Sequence, residues 1–364
     1  MDDRIYNFSA GPAVLPLSAL KAAQKELLAL PGIGMSVLEI SHRSKPFEAI
    51  LNETITNLRK LLHIPDNYKV LFLQGGASLQ FSMISMNFLR ASNRPAAYLV
   101  TGTWGQKAVK EAQREGEVVI AWNGKDSGFT RVPDASEITL PANPAYVHYT
   151  TNETIQGVQF HHLPTSGDAP LICDMSSDFL CRPVNVSKHA LIYAGAQKNA
   201  GPAGVTMVIL RDDLLETIPD GLHTMLDYRT HANNNSLYNT PPVFSIYMVM
   251  QVTRWLLNEI GSLDTMYHLN TNKASLLYHL IDESNGFYRP HAAPNSRSLM
   301  NVTFRLPTEE LEAEFISQAS KRRLSGLKGH RSVGGIRASI YNAMPLDGVQ
   351  ALADFMTEFK ASHS

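Results

Sequence analysis

Lys198 sits in the segment YAGAQKNAGPAG (193–204), where three glycines, a proline and other small residues surround a single cation. Apolar residues lead up to Tyr193 and resume after Gly204 (Val205, Met207, Val208, Ile209, Leu210), so two strand-like stretches flank the turn. Asp174 precedes Lys198 by 24 positions, after the apolar run PLIC and ahead of Met175-Ser176-Ser177. Both residues fall at the ends of predicted strands, where open α/β sheets bind ligands. In LQGGASLQF (73–81) a strand, a Gly-Gly turn and a helix start follow one another. The N–H groups of Gly76, Ala77 and Ser78 would face outward there, a geometry that suits phosphate.

Pyridoxal phosphate is a group that a buried acid and a lysine can serve together. Its aldehyde bonds to a lysine amine, its ring nitrogen needs a carboxylate to stay protonated, and its phosphate needs backbone donors. Trp104, in GTWGQK (102–107), offers a flat face for the ring, and equally suits a structural role. The small residues around Lys198 would let the ring approach the backbone closely. Two His-Arg pairs, His42-Arg43 in EISHRSKPF and His330-Arg331 in GLKGHRSVGGIRASIYNAMP, lie among small residues, and Arg337 follows the second. Arginine presents a planar fork to carboxylate or phosphate, so this set suggests a small substrate with two anionic groups.

The elements that must position these residues alternate along the chain. KVLFLQGG (69–76) predicts a strand and SLQFSMISMNFLR (78–90) a buried helix capped by Ser78. AAYLVTG (96–102), VVIAW (118–122), AYVHYT, PLICDMSSD and ALIYAGAQ continue the strand pattern. Strands alternating with helices predict a mostly parallel sheet wrapped by helices. After Gly261 the texture changes to amphipathic helices, TEELEAEFISQASKRR and DGVQALADFMTEF, with MNVTFRL and IRASIYN as strands of a small separate sheet. The second helix places Val349, Leu352, Phe355, Met356 and Phe359 on one face. Asn239 and Thr240, ahead of Pro241-Pro242, predict another helix start.

Composition narrows the function classes. A chain of 364 residues with 44% hydrophobic and 18% charged residues has material for about two domains. Lys plus Arg (32) nearly balances Asp plus Glu (33), so no net field draws nucleic acid or an anionic membrane. No P-loop, no G-x-G-x-x-G after a strand and no metal-ligand spacing is present. Two cysteines, Cys173 and Cys181, make no disulfide framework. The acidic start MDDRIYNF is unlike a signal peptide, and the longest apolar run (243–252) falls far short of a membrane span. A cytoplasmic enzyme is the expectation.

Eight segments in order carry a family resemblance: YNFSAGPAVLP, EISHRSKPF, VLFLQGGASLQF, TNETIQG, DMSSDFLCRP, YAGAQKNAGPAG, SLYNTPP and LKGHRSVGGIRASIYNAMP. With them the chain resembles the class V aminotransferases of the fold type I pyridoxal phosphate architecture, and within these the branch that acts on phosphoserine. The resemblance implies an α/β fold: a large cofactor domain (16–261) with a mixed, mostly parallel seven-stranded sheet, and a smaller α+β domain (1–15 and 262–364). It implies reversible amino transfer from L-glutamate to 3-phosphohydroxypyruvate, giving O-phospho-L-serine and 2-oxoglutarate, in a homodimer. By position, Lys198 resembles the cofactor-linking lysine, Asp174 the partner of the ring nitrogen and Trp104 the stacking residue. Thr154 resembles the contact on the hydroxyl side of the ring, and Ala77, Ser78 and Gln197 the phosphate holders, with Asn239 and Thr240 reaching in from the neighbouring subunit. Arg337 resembles the α-carboxylate anchor, and His42, Arg43, His330 and Arg331 the receptor for the distal phosphate or carboxylate. Some relatives carry Gly-Arg where this chain has Ala77-Ser78, and some a serine at the place of Ala10. Two other readings stand beside this one. A cysteine desulfurase of the same fold would need a mobile nucleophilic cysteine, whereas Cys173 sits in a predicted strand; a non-enzymatic phosphometabolite-binding protein would have no use for the Lys–Asp pair.

Overall fold

A computed structural model describes residues 4–363. Strand β1 (Tyr6–Asn7) leads into helices α1 (Leu17–Glu26) and α2 (Lys45–Leu62). There follow β2 (Tyr68–Leu73), α3 (Gly76–Phe88), β3 (Ala96–Val100), α4 (Thr103–Ala112), β4 (Val118–Asn123) and β5 (Val147–Thr150). A two-stranded ribbon, β6 (Asn152–Glu153) and β7 (Val158–Gln159), precedes β8 (Leu171–Asp174), β9 (Leu191–Gly195) and β10 (Thr206–Arg211). Helices α5 (Tyr228–Asn233), α6 (Val243–Trp255) and α7 (Leu263–Asp282) lead to β11 (Arg289–Pro290), β12 (Asn301–Arg305), α8 (Glu309–Lys321), β13 (Leu324–Ser325), β14 (Ile336–Ser339) and α9 (Leu346–His363).

The main sheet has seven strands in the order β2-β10-β9-β8-β5-β3-β4. Only β10 runs against its neighbours; β9, β8, β5, β3 and β4 pair in parallel. Because β10 opposes both β2 and β9, β2 points the same way as the parallel strands. The C-terminal ends of β2, β3, β5, β8 and β9 therefore share one edge, and the turn before β10 arrives at the same edge. Alternation along the strands sends side chains to opposite faces. Val70, Phe72, Leu99, Tyr149, Cys173 and Ile192 pack with α1, α2 and α6, while Leu71, Tyr98, Ile172, Leu191 and Val208 pack with α3, α4 and α5. Among the described residues no helix is long and apolar enough to cross a membrane.

A second sheet, β11-β12-β14, is antiparallel, and β1 pairs in parallel with β13. Their core combines Phe8 with Leu277, Phe304, Phe315 and Leu352. The predicted face of α9 is buried at all five positions. Lys273 of α7 donates to the carbonyls of Ile340, Tyr341, Asn342 and Met344, at 2.8–3.4 Å, tying α7 to the turn before α9.

The β6–β7 ribbon joins the two sheets, and its corner is Gly157. Ser298 N–H donates to Gly157 O at 3.0 Å, and Thr303 Oγ1 donates to Gln156 O at 2.8 Å. Gly157 has φ +69°, and a Cβ there would lie 2.5 Å from Asn301 O and 2.6 Å from Thr303 Oγ1. Both the left-handed backbone and the contact exclude a side chain. Gly157→Ala is expected to cost about 2–4 kcal/mol, from strain plus overpacking. Chemical denaturation at fixed protein concentration should show a lowered midpoint; an unchanged midpoint would mean that the ribbon is free to shift.

Candidate active site

The shared strand edge holds a cavity of about 270 Å³, lined by Gly75–Ser78 after β2, Trp104 after β3, Asp174 at the end of β8 with Ser176 beyond it, and Gly195–Lys198 and Ala203–Val205 from the end of β9 to the start of β10. Four strand-end connections thus deliver the Lys198, Asp174, Trp104, Ala77, Ser78 and Gln197 picked out in the sequence to one cavity.

Asp174 closes β8 and is buried. Its Oδ1 accepts from Ser176 N–H at 2.8 Å, and the carboxylate borders the cavity. Ser176 Oγ in turn accepts from Gly195 N–H at 3.1 Å, locking the β8 and β9 loops together. Lys198 Nζ donates to Thr154 Oγ1 at 2.6 Å and lies 5.3 Å from the centroid of the Trp104 ring. Burial pushes the Asp174 carboxyl above its ordinary range and the Lys198 amine below its own; the attraction between the two opposes both shifts. A depressed amine pKa favours the neutral, nucleophilic form.

Arg337, on β14, reaches the same place from the second sheet. Its Nη1 donates to Thr154 O at 3.3 Å, and its buried Nε has no partner among the described residues. Thr154 is the common contact: its hydroxyl meets Lys198 and its carbonyl meets Arg337. His330 lies in the turn before β14, its Nδ1 2.8 Å from Ser332 Oγ. Burial lowers the pKa of His330, and the positive charges of Arg337, Arg331 and Lys107 lower it further. Lys107 Nζ sits 4.2 Å from the Trp104 ring centroid.

Helix α3 starts two residues earlier than the sequence suggests. Gly75 is its N-cap, so Ser78 lies inside the first turn and caps nothing. The glycine pair turns the chain before Ser78 is reached, and the N–H groups of Gly76, Ala77 and Ser78 become the unpaired donors of the first turn. Helix α6 likewise starts at Val243, after Pro242 rather than at Thr240. Asn239 Nδ2 donates to Gln74 Oε1 at 3.3 Å, and Gln74 Nε2 donates to Thr240 O at 3.2 Å. Thr154, His330, Arg331, Arg337, Asn239, Thr240, His42 and Arg43 are not among the residues lining the Lys198 cavity; Thr154 touches Lys198 directly, and His330 and Arg337 line a small neighbouring pocket. His42, in the turn before α2, has a buried Nε2 without a partner among the described residues.

Sequence reasoning missed Glu153, Ser176 and Lys107. Only Lys107 left a local signal, its spacing of three from Trp104 on a helix. Cys173 and Cys181 are fully buried, and burial pushes both thiols up, so neither can serve as a mobile nucleophile.

The residues present fit pyridoxal phosphate. A buried carboxylate, an amine 5.3 Å from an indole and the first-turn amides of α3 line one cavity. A family model described as aminotransferase class-V matches residues 5–352. The phosphoserine aminotransferase of Geobacillus kaustophilus (strain HTA426) is 56% identical over 357 residues, which are 98% of each chain. The solved structure of phosphoserine aminotransferase from Bacillus circulans subsp. alkalophilus superposes with a TM-score of 0.97 at 52% identity, over all of both chains. The PLP-bound phosphoserine aminotransferase of Trichomonas vaginalis superposes with a TM-score of 0.91 at 42% identity, over 97% of this chain and 100% of that one.

Proposed function

The chain belongs to the class V aminotransferases and, within them, to the phosphoserine aminotransferases, and we propose on that basis how its residues share the work. The reaction is amino transfer from L-glutamate to 3-phosphohydroxypyruvate, giving O-phospho-L-serine and 2-oxoglutarate, with pyridoxal phosphate as cofactor. Bound in the cavity, the cofactor supplies an electron sink that makes negative charge at the substrate α-carbon tolerable.

Lys198 Nζ would hold the cofactor and would move the proton at the substrate α-carbon. Asp174 Oδ2 keeps the ring nitrogen protonated; Thr154 contacts the hydroxyl side and Trp104 the ring face. The amides of Gly76, Ala77 and Ser78, with Gln197, hold the phosphate. Arg337 anchors the α-carboxylate, and His330 and Arg331 receive the distal anionic group. A single basic pocket of this kind accepts a phosphate or a side-chain carboxylate in turn, so both substrates can share it. The observation that carries this reading is Thr154 joining Lys198 to Arg337, which sets the amine beside the carboxylate anchor.

We divide the chain into a large domain (16–261), which lines the cavity, and a small domain (1–15 and 262–364), whose Arg337 reaches Thr154 beside Lys198. The pairing of β1 with β13 supports the assignment of the first residues to the small domain. Asn239 and Thr240 complete the site of a second copy, and His42 and Arg43, which do not border the cavity of their own chain, act by the same route. The loop before them exposes Leu28, Ile33, Met35 and Leu38, an apolar surface suited to that partner.

Mixed dimers test the assignment. Lys198→Ala chains and His42→Ala/Arg43→Ala chains should each be nearly inactive with glutamate and 3-phosphohydroxypyruvate. Mixed in equal amounts and allowed to exchange, they should regain about a quarter of the normal activity, because half the dimers carry one intact site of two. No recovery would place His42 and Arg43 in the site of their own chain, or outside it.

A further inference from the structure

The loop after β3 turns against a carboxylate to which the roles above give no task. Glu153 is fully buried. Its Oε1 accepts from Gly105 N–H at 2.8 Å and its Oε2 from Trp104 N–H at 3.0 Å. These are first-turn donors of α4, which have no carbonyl partner within their own helix. Gln156, three residues further along the ribbon, completes the set: its Oε1 accepts from Thr103 N–H at 3.4 Å and its Nε2 donates to Thr103 Oγ1 at 2.9 Å. Three successive backbone donors of α4 are therefore held by the β6–β7 ribbon.

The approach is close enough to require glycine. A Cβ on Gly102 would lie 2.6 Å from Glu153 Cδ and 2.6 Å from Gln156 Oε1. The φ of Gly102 is 177°, ordinary extended backbone, so what matters at this position is space.

A buried carboxylate is costly unless it is well hydrogen-bonded, and two charge-assisted bonds at a helix N-terminus answer that need. An amide could not replace it fully, because its NH₂ would face one of the two N–H donors. Burial raises the Glu153 carboxyl to about 7, and the bonds from Gly105 and Trp104 act in the opposite sense. The same ribbon carries Thr154, which holds Lys198 Nζ. The indole and the lysine are thus positioned by adjacent residues of one short ribbon.

We propose that Glu153 is a positioning residue that fixes the first turn of α4 and so holds the Trp104 indole as a wall of the cofactor cavity. It touches neither cofactor nor substrate, and the inference rests on the cavity taking pyridoxal phosphate.

The test is a double-variant cycle in the full-length protein. Glu153→Gln is made alone and together with Trp104→Phe, and pyridoxal phosphate is titrated into each cofactor-free protein. Affinity and the visible circular dichroism of the bound cofactor are measured. With Trp104 present, Glu153→Gln should weaken binding about tenfold, as expected when one buried N–H loses its partner, and should diminish the dichroism. With Trp104→Phe in place, the same change should alter affinity less than about twofold, since coupled residues are not additive. An equal loss in both backgrounds, or no loss in either, overturns the inference and leaves the cofactor reading intact. Failure of the unaltered protein to bind pyridoxal phosphate would overturn both. If Glu153→Gln does not fold, Gln156→Ala releases the Thr103 end of the same turn, and the same pattern against Trp104→Phe decides the matter.

Discussion

Lys198→Ala should abolish amino transfer while leaving the cofactor bound, though more weakly. The remaining holders are independent of the amine: Asp174 Oδ2, the first-turn amides of α3 and the Trp104 face all line the cavity without it. What disappears is the covalent link and the base that moves the α-proton. A positioned base is typically worth ~10²–10⁴ in rate, so turnover should fall to the far end of that range or below it. Two measurements separate attachment from catalysis. In the unaltered protein, which should be yellow, borohydride should fix the chromophore permanently on the peptide that contains Lys198. In the variant the cofactor should dialyse away, and substrate should not change its spectrum at a comparable rate. Normal turnover without Lys198 would sink the assignment.

How much of this was legible in the sequence follows from what each feature depends on. The strands and their order along the chain could be read because apolar runs are local. PLIC and ALIYAG read as interior strands because both faces are covered, which leaves a continuous apolar run. The face of α9 could be read because helical periodicity is local too. The strand-end positions of Lys198 and Asp174 follow from those runs, and the pairing of a lysine with an acid points to the cofactor on chemical grounds alone.

Other features depend on contacts between distant parts of the chain. Glu153 meets Trp104 across 49 positions, through a two-residue strand with no pattern of its own. Ser176 meets Gly195 only because β8 and β9 are neighbours in the sheet. The start of α3 differs from the pattern because Ser78 is a good cap by type, while Gly75, which adopts φ +89°, turns the chain three residues before it. His42 and Arg43 show the same limit: their residue types suggest anion binding, but spacing says nothing about which cavity they border.

Arg337→Ala should damage both half-reactions, and this separates an α-carboxylate anchor from a phosphate receptor. Glutamate and phosphoserine differ in their distal groups but share the α-carboxylate, so an anchor for that group is used twice in each cycle. Among the described residues the guanidinium is only partly engaged, with Nη1 on Thr154 O and Nε buried without a partner. Burial lowers the Arg337 pKa, yet arginine begins so high that it stays charged and can accept a carboxylate in bidentate fashion. Truncating one partner of a buried charged pair commonly costs 2–5 kcal/mol, so kcat/KM should fall about 10²–10³-fold for each substrate. Single-turnover spectra with glutamate alone, and with phosphoserine alone, measure the two halves separately. Arg337→Lys should recover only part of the loss, because a point charge cannot reproduce the two-pronged contact. His330→Ala, by contrast, should weaken binding through the distal group and leave a substrate that lacks one, such as alanine, unaffected. If Arg337→Ala harmed only the half-reaction with phosphoserine, Arg337 would belong to the phosphate receptor, and the carboxylate anchor would have to be sought elsewhere around Lys198.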